Sequence, residues 1–261
     1  MAGSEPRAEA CPKHGGDLAT AFLIRRARPA LGHLSGWTGC PACAQESAEQ
    51  ASKAEQARLA GERRQSAQRS LEQRLAGAMI PPRFRSKTFA NYLAKSEEQQ
   101  RALADLKAYA DDFGQVLFDG RCLLLVGRTG TGKTHLSCAV ANAIMGQGYT
   151  ALFRTVQEVI RHVRGSWRQG GSGGRSEDEA IAELVAPDLL ILDEVGVQYG
   201  KDAELVTLFD VMNARYSACK PSIVLSNLAL GEVKQFLGER VFDRLRENGG
   251  KAIPFEWESC R

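Results

Sequence analysis

The sequence predicts an α/β protein whose five-stranded parallel sheet is covered by helices on both faces. Apolar runs and amphipathic stretches alternate from Arg121 to the end of the chain. One run feeds a glycine-rich loop that ends in lysine and threonine, and another ends in two adjacent acids. Strands buried on both faces read as nearly continuous apolar segments, and helical crossovers between them make the sheet parallel.

Each element has its own reason. Residues 1–45 are rich in Gly, Pro, Cys and His, too short a stretch to bury much core. Residues 46–76 switch to Ala, Gln, Glu and Arg with no aromatic residue, which predicts a solvated helix. Met79-Ile80-Pro81-Pro82 ends it, because proline cannot continue a helix. A further helix is expected over 95–113. Strands are expected near 121–126, 149–154, 187–193, 221–226 and 251–256, with helices near 133–145, 156–167, 177–185, 202–216 and 231–247. Gly170-Gly171-Ser172-Gly173-Gly174 interrupts the connection between the second and third strands. The division expected is a small N-terminal domain at 1–45, a basic helical linker at 46–78 and the main domain at 79–261.

Bulk properties narrow the function. Among 261 residues, 25% are charged and 43% apolar, the balance of a soluble globular protein. A net charge of +3 is too small to argue for a nucleic-acid partner, so local clustering must do so. No apolar run approaches the length that crosses a membrane. The N-terminus lacks the apolar core of a secretory signal. The seven cysteines, an odd number unevenly spread, read as reduced thiols in a cytoplasmic protein.

The candidate chemistry starts at Gly127-Arg128-Thr129-Gly130-Thr131-Gly132-Lys133-Thr134, which fits G-x-x-x-x-G-K-[ST]. The apolar Cys122–Val126 precedes it, and an amphipathic helix opening at His135 follows. In that setting backbone N–H groups converge on phosphates and the helix N-terminus adds partial positive charge. Lys133 then reaches the β- and γ-phosphates of ATP, and the Thr134 hydroxyl ligates Mg²⁺. A glycine turn without a ligand leaves both the lysine and the threonine unexplained. Asp188-Leu189-Leu190-Ile191-Leu192-Asp193-Glu194 is a buried strand delivering two carboxylates at its C-terminal edge. Asp193 fits the Mg²⁺ site and Glu194 the polarisation of the attacking water. The plainer reading of Glu194 is a solvated residue in a polar turn.

Cys11-Pro12-Lys13-His14 and Cys40-Pro41-Ala42-Cys43 are two two-ligand knuckles 25 residues apart, the number and kind of ligands that tetrahedral Zn²⁺ takes. Four protein ligands leave no open position, so the expected role is structural. His33 can replace His14 but sits in no knuckle. A disulfide pairing fits an intracellular ATPase poorly. Cys122, Cys138, Cys219 and Cys260 read as small core residues.

Further stretches carry a resemblance. They are Gly196-Val197-Gln198, Val224-Leu225-Ser226-Asn227, Leu237–Arg246 and Phe255-Glu256-Trp257-Glu258-Ser259-Cys260-Arg261, with Met79–Phe84 introducing the domain. Together with the phosphate loop and the acids they resemble the bacterial and phage DnaC/DnaI-type helicase loaders. These are AAA+ ATPases, close kin of the IstB-type transposition helper ATPases. The resemblance covers roughly 79–261. It implies Asn227 as a first sensor beside the γ-phosphate, Arg244 as an arginine finger reaching a neighbouring subunit, and Arg261 as a second sensor. The plainer accounts are a strand-end cap for Asn227 and a solvated basic face for Arg244. Arg240 lies one helical turn before Arg244 and competes for its role. The sequence stops at Arg261, where family members usually continue, so its carboxylate competes for its own guanidinium.

Arg161-His162-Val163-Arg164-Gly165-Ser166-Trp167-Arg168 combines cations with an aromatic ring, the composition of single-stranded DNA grooves. The resemblance places this region in a pore-facing insertion and points to Arg164 and Trp167; a ring packed on the sheet is the alternative. Arg58, Arg63, Arg64, Arg69 and Arg74 are interleaved with Glu55, Glu62 and Glu72, as in a solvated helix. The function expected is ATP-switched loading of a DnaB-type replicative helicase onto single-stranded DNA, by self-assembled copies whose intrinsic turnover is weak. The alternatives are an IstB-type helper on duplex DNA and a zinc-bearing adaptor whose ATP site is structural.

Overall fold

A computed structural model describes residues 41–167, 176–196 and 202–259. Cys11, His14, Cys40, the glycine break at 170–174 and Arg261 lie outside those residues. The described chain runs α1 (Pro41–Gly77), α2 (Glu97–Asp111), α3 (Phe113–Asp119), β1 (Leu123–Gly127), α4 (Lys133–Gln147), β2 (Ala151–Thr155), α5 (Val156–Trp167), α6 (Glu177–Val185), β3 (Leu189–Val195), α7 (Asp202–Ser217), β4 (Ser222–Ser226), α8 (Leu230–Arg246) and β5 (Lys251–Phe255). All five strands are parallel, in the order β2-β3-β4-β1-β5. The parallel α/β architecture expected from the sequence is present.

Alternation along each strand divides the core. Leu123, Leu125, Leu189, Ile191, Ile223 and Leu225 face one layer, with Leu106, Phe113, Leu136 and Ile144 from α2, α3 and α4. Leu124, Val126, Leu190, Leu192 and Val224 face the other, with Val159, Val163, Leu184, Leu208, Val233 and Leu245 from α5 to α8. Burying an aliphatic side chain of this size stabilises by about 1.5–3 kcal/mol, which is why one-residue slips in register are excluded. Pro254 is tolerated in β5 because that strand lies at the sheet edge.

The described elements differ from expectation at three places. The helix expected from 46 begins at Pro41, a residue preorganised for a first helical turn. The helix expected over 95–113 is two, α2 and α3, separated at Asp112 (φ −101°, ψ 27°). The last long helix is broken at Gly238 (φ 73°, ψ 155°), which the amphipathic spacing alone conceals.

Two compact units meet at Gln68/Arg69. In the first, α1 is exposed and carries Arg58 between Glu55 and Glu62, each at 2.6 Å. Exposed pairs of this kind contribute little to a helix, because water screens them and both long side chains must be ordered. In the second, the end of α1 docks Leu71 and Leu75 on the core, and Arg74 Nε donates to the Met145 carbonyl at 3.2 Å. The segment 84–92 then lies along α4, where Asn142 Nδ2 donates to the Arg85 and Lys87 carbonyls at 3.1 and 2.7 Å. Among the described residues no helix is long and apolar enough to cross a membrane.

Candidate nucleotide site

The site forms where β1 and β3 end and α4 begins. Gly127 leaves β1 with φ 136°, and a Cβ there would stand 2.3 Å from the Phe255 carbonyl oxygen. Gly132 caps α4 with φ 99°, and a Cβ there would stand 2.7 Å from the Tyr92 ring. Both positions therefore demand glycine for conformation and for space. Between them Arg128 and Thr129 are exposed, Gly130 is half-buried, and the Thr131 hydroxyl donates to the Arg128 carbonyl at 2.8 Å.

Lys133 is 6% exposed, and its ammonium donates to the Gly127 and Arg128 carbonyls at 2.5 and 2.8 Å. Burial, partly offset by the Asp193 carboxylate, lowers its pKa to about 8. The Thr134 hydroxyl donates to Asp193 Oδ2 at 3.1 Å, so the two expected Mg²⁺ ligands already touch. Hard oxygen donors of this kind suit Mg²⁺. Burial raises the Asp193 pKa, opposed by the Glu194 backbone N–H, which donates to Oδ1 at 2.8 Å.

Glu194 is exposed and takes the left-handed conformation, φ 63°, where β3 loses register with β4 between Leu192 and Val195. A non-glycine residue held there costs about 1–2 kcal/mol, a kind of strain that concentrates at functional sites. Asn227 is exposed directly after β4, the strand between β1 and β3. Ser226 Oγ ties that end of β4 to β3 by donating to the Val195 carbonyl at 2.6 Å. His135 sets Nε2 3.1 Å from the Thr88 carbonyl, with its ring edge-on to Tyr92; burial lowers its pKa.

Arg244 is elsewhere. Its guanidinium lies over the Tyr216 ring, 4.6 Å from the centroid, and donates to Asn213 Oδ1. Tyr216 in turn donates to Glu247 Oε2 at 2.6 Å. The cavity beside Arg244 is lined by Gly120, Cys122 and Ser222, which precede or open β1 and β4. In a parallel sheet that is the edge opposite the phosphate loop. Arg240 is exposed on the same arm of α8. The expected nucleotide residues therefore gather at one edge, and the expected finger sits at the other.

Arg164 is half-buried on α5 and Trp167 is the last residue of that helix; the Trp167 side chain is outside what is described. Cys43 lies in the first turn of α1, its side chain also outside, and the described residues hold no cluster of three or more His, Cys, Asp or Glu placed to bind a metal.

Two side chains at the loop were not anticipated as site residues. Trp257 Nε1 and the Tyr92 hydroxyl both donate to the Thr131 carbonyl, at 2.8 and 3.4 Å. Neither has a local signature, since each contact joins segments far apart in sequence.

Sheet order, glycine loop and paired acids define a phosphate-loop nucleotide-binding protein with the AAA+ arrangement. Within that class the chain belongs to the IstB-like ATP binding protein family, whose profile matches residues 37–246. Escherichia coli (strain K12) YdaV, itself uncharacterised, is 34% identical over 198 residues, 76% of this chain and 77% of that one. The replicative helicase loader DnaC of the same strain is 32% identical over 184 residues, 70% of this chain and 72% of that one. The crystal structure of the DnaC helicase loader superposes with a TM-score of 0.59 at 22% identity, over 67% of this chain and 99% of that one, a likeness of fold.

Proposed function

We propose that this protein is an ATP-switched loader of a replicative DNA helicase. The observation that carries the reading is the assembled site, with Thr134 on Asp193 and Glu194 strained beside it, in a chain 32% identical to a named helicase loader. Lys133 leaves the carbonyls it now caps and meets the β- and γ-phosphates of ATP, drawn by charge. The residues 127–135 cradle the phosphates through backbone N–H groups. Thr134 and Asp193 hold Mg²⁺, which when bound neutralises charge on the transferring phosphoryl group. Glu194 orients the attacking water, and Asn227 stands beside it as the polar sensor.

Arg244 opposes the strand ends that carry the phosphate loop, so it serves the site of a second copy rather than its own. That placement supports self-assembly with one arginine delivered per interface, and Arg240 is the alternative donor on the same arm. Arg164 and Trp167 at the end of α5 contact single-stranded DNA. Cys11, His14, Cys40 and Cys43 hold a structural Zn²⁺, and Arg261 takes the second-sensor role that the resemblance implies. ATP favours the assembled, DNA-gripping state, and hydrolysis releases it.

The test is retention of a purified DnaB-type helicase on immobilised protein with ATP and with ADP, beside Lys133→Ala. Nucleotide-dependent retention that the variant loses supports a loader. ATP-dependent coating of duplex DNA without helicase binding transfers the reading to the transposition helper that the family name favours.

A further inference from the structure

We propose that Tyr92 and Trp257 are positioning residues for the phosphate loop, jointly fixing the orientation of the peptide that links Thr131 to Gly132. The inference rests on the nucleotide-site reading above and extends it to two residues outside the motif. Thr131 is fully buried, yet its carbonyl accepts from two aromatic donors that arrive from opposite ends of the domain. Tyr92 comes from the segment before α2, and its ring fills the space that a Cβ on Gly132 would occupy. Trp257 comes from beyond β5 and rests on Phe255, ring centroids 4.7 Å apart. Phe255 is also the residue whose carbonyl crowds Gly127. The two ends of the domain therefore hold both the start and the middle of the loop.

The consequence follows from peptide geometry. The described chain has no cis peptide, and in a trans peptide the C=O and the next N–H point in opposite directions. Holding the Thr131 carbonyl towards Tyr92 and Trp257 turns the Gly132 N–H away from them. Phosphate loops bind by converging N–H groups, so a peptide turned over by about 180° offers an oxygen where a hydrogen is needed. One donor is enough to hold the carbonyl. With neither, a buried acceptor is unsatisfied and the peptide turns towards water, and nucleotide must then reverse it.

That logic predicts synergy, which two independent packing contacts do not produce. In titrations of the full chain with a fluorescent ATP analogue, Tyr92→Phe, which keeps its ring, and Trp257→Phe, which keeps a smaller aromatic ring but no N–H, are each expected to weaken binding about threefold or less. The double variant is expected to lose about 30-fold or more, well beyond the product of the singles. Additive losses overturn the proposal while leaving the nucleotide site standing; a parent protein that fails to bind the analogue overturns both. A second measurement does not depend on the double variant folding. In a Trp37→Phe/Trp167→Phe protein, Trp257 is the only tryptophan, and because its Nε1–H already bonds the Thr131 carbonyl before nucleotide arrives, its emission maximum is expected to stay in place on saturating MgATP. A large shift, which means that nucleotide makes or breaks this contact, overturns the proposal.

Discussion

Replacing Arg215 by methionine is expected to destabilise the second unit severely while leaving its nucleotide affinity almost untouched. Arg215 is 1% exposed, and among the described residues no carboxylate forms an ion pair with it, the Asp188 charge acting only through space. Its Nη1 donates to the carbonyls of Leu184, Val185 and Pro187 at 2.8, 3.2 and 3.1 Å, and Nη2 to those of Pro221 and Asp188 at 2.6 and 3.4 Å. Nε donates to Ser222 Oγ at 3.0 Å. The guanidinium thus closes the carbonyl end of α6, whose partial negative charge favours a cation, and staples it to the starts of β3 and β4. Burial lowers its pKa to about 10, so it stays charged at neutral pH. Methionine fills similar space but removes the guanidinium donors from these carbonyls, of which Pro221 keeps a backbone partner, the Leu190 N–H at 3.4 Å; the loss is about 3–5 kcal/mol. For a domain of this size that is a fall in melting temperature of about 6–20 °C. Lysine, with three donors on one point, recovers only part of it. Urea unfolding gives the loss, and an unchanged denaturant slope shows that the folded and unfolded states are otherwise comparable. ATP affinity is expected to stay within about twofold, because Arg215 braces the strand ends opposite the acids. A loss below about 1 kcal/mol refutes the argument that these carbonyls depend on one side chain.

Three further outcomes follow from the site. Glu194→Asn removes the expected water-orienting carboxylate but suits the left-handed backbone, so phosphate release should fall about 100-fold or more while the melting temperature holds or rises by a few degrees. Lys133, with a pKa of about 8 in the free protein, gains affinity for its proton beside phosphate. The complex then binds more protons than the free protein above that pH, so ATP affinity is expected to fall as pH rises through about 8 and to be flat between 6 and 7; calorimetric titrations across pH check it. Arg244→Ala should lower turnover by about 10³-fold without weakening ATP binding, and adding Lys133→Ala protein, which keeps Arg244, should restore activity. Restoration fails if Arg244 serves its own chain.

The parallel sheet was legible because fully apolar runs such as Leu189–Leu192 leave few alternatives, and the phosphate loop because its glycines, lysine and threonine occur together. The acids were legible by position at a strand end, but the left-handed backbone of Glu194 was not, because it arises from the register shift against β4. The break at Gly238 was hidden for a similar reason: residues on both sides keep helical spacing, with Val233, Leu237, Val241 and Leu245 all buried. Nothing in the sequence marks Arg215, since most of the carbonyls that bury it lie in the distant stretch 184–188, with Pro221 as the one nearby partner. Tyr92 and Trp257 meet at Thr131 only in the fold.

A single ATP site that switches the grip on single-stranded DNA leaves a signature in time. In fluorescence anisotropy of a labelled single-stranded oligonucleotide, followed after MgATP is added, the parent protein is expected to bind and then release as ATP is consumed, Glu194→Gln to bind and stay bound, and Lys133→Ala to show no ATP-dependent binding. Identical traces for the parent and Glu194→Gln, at ATP concentrations that saturate both, contradict a switch driven by hydrolysis.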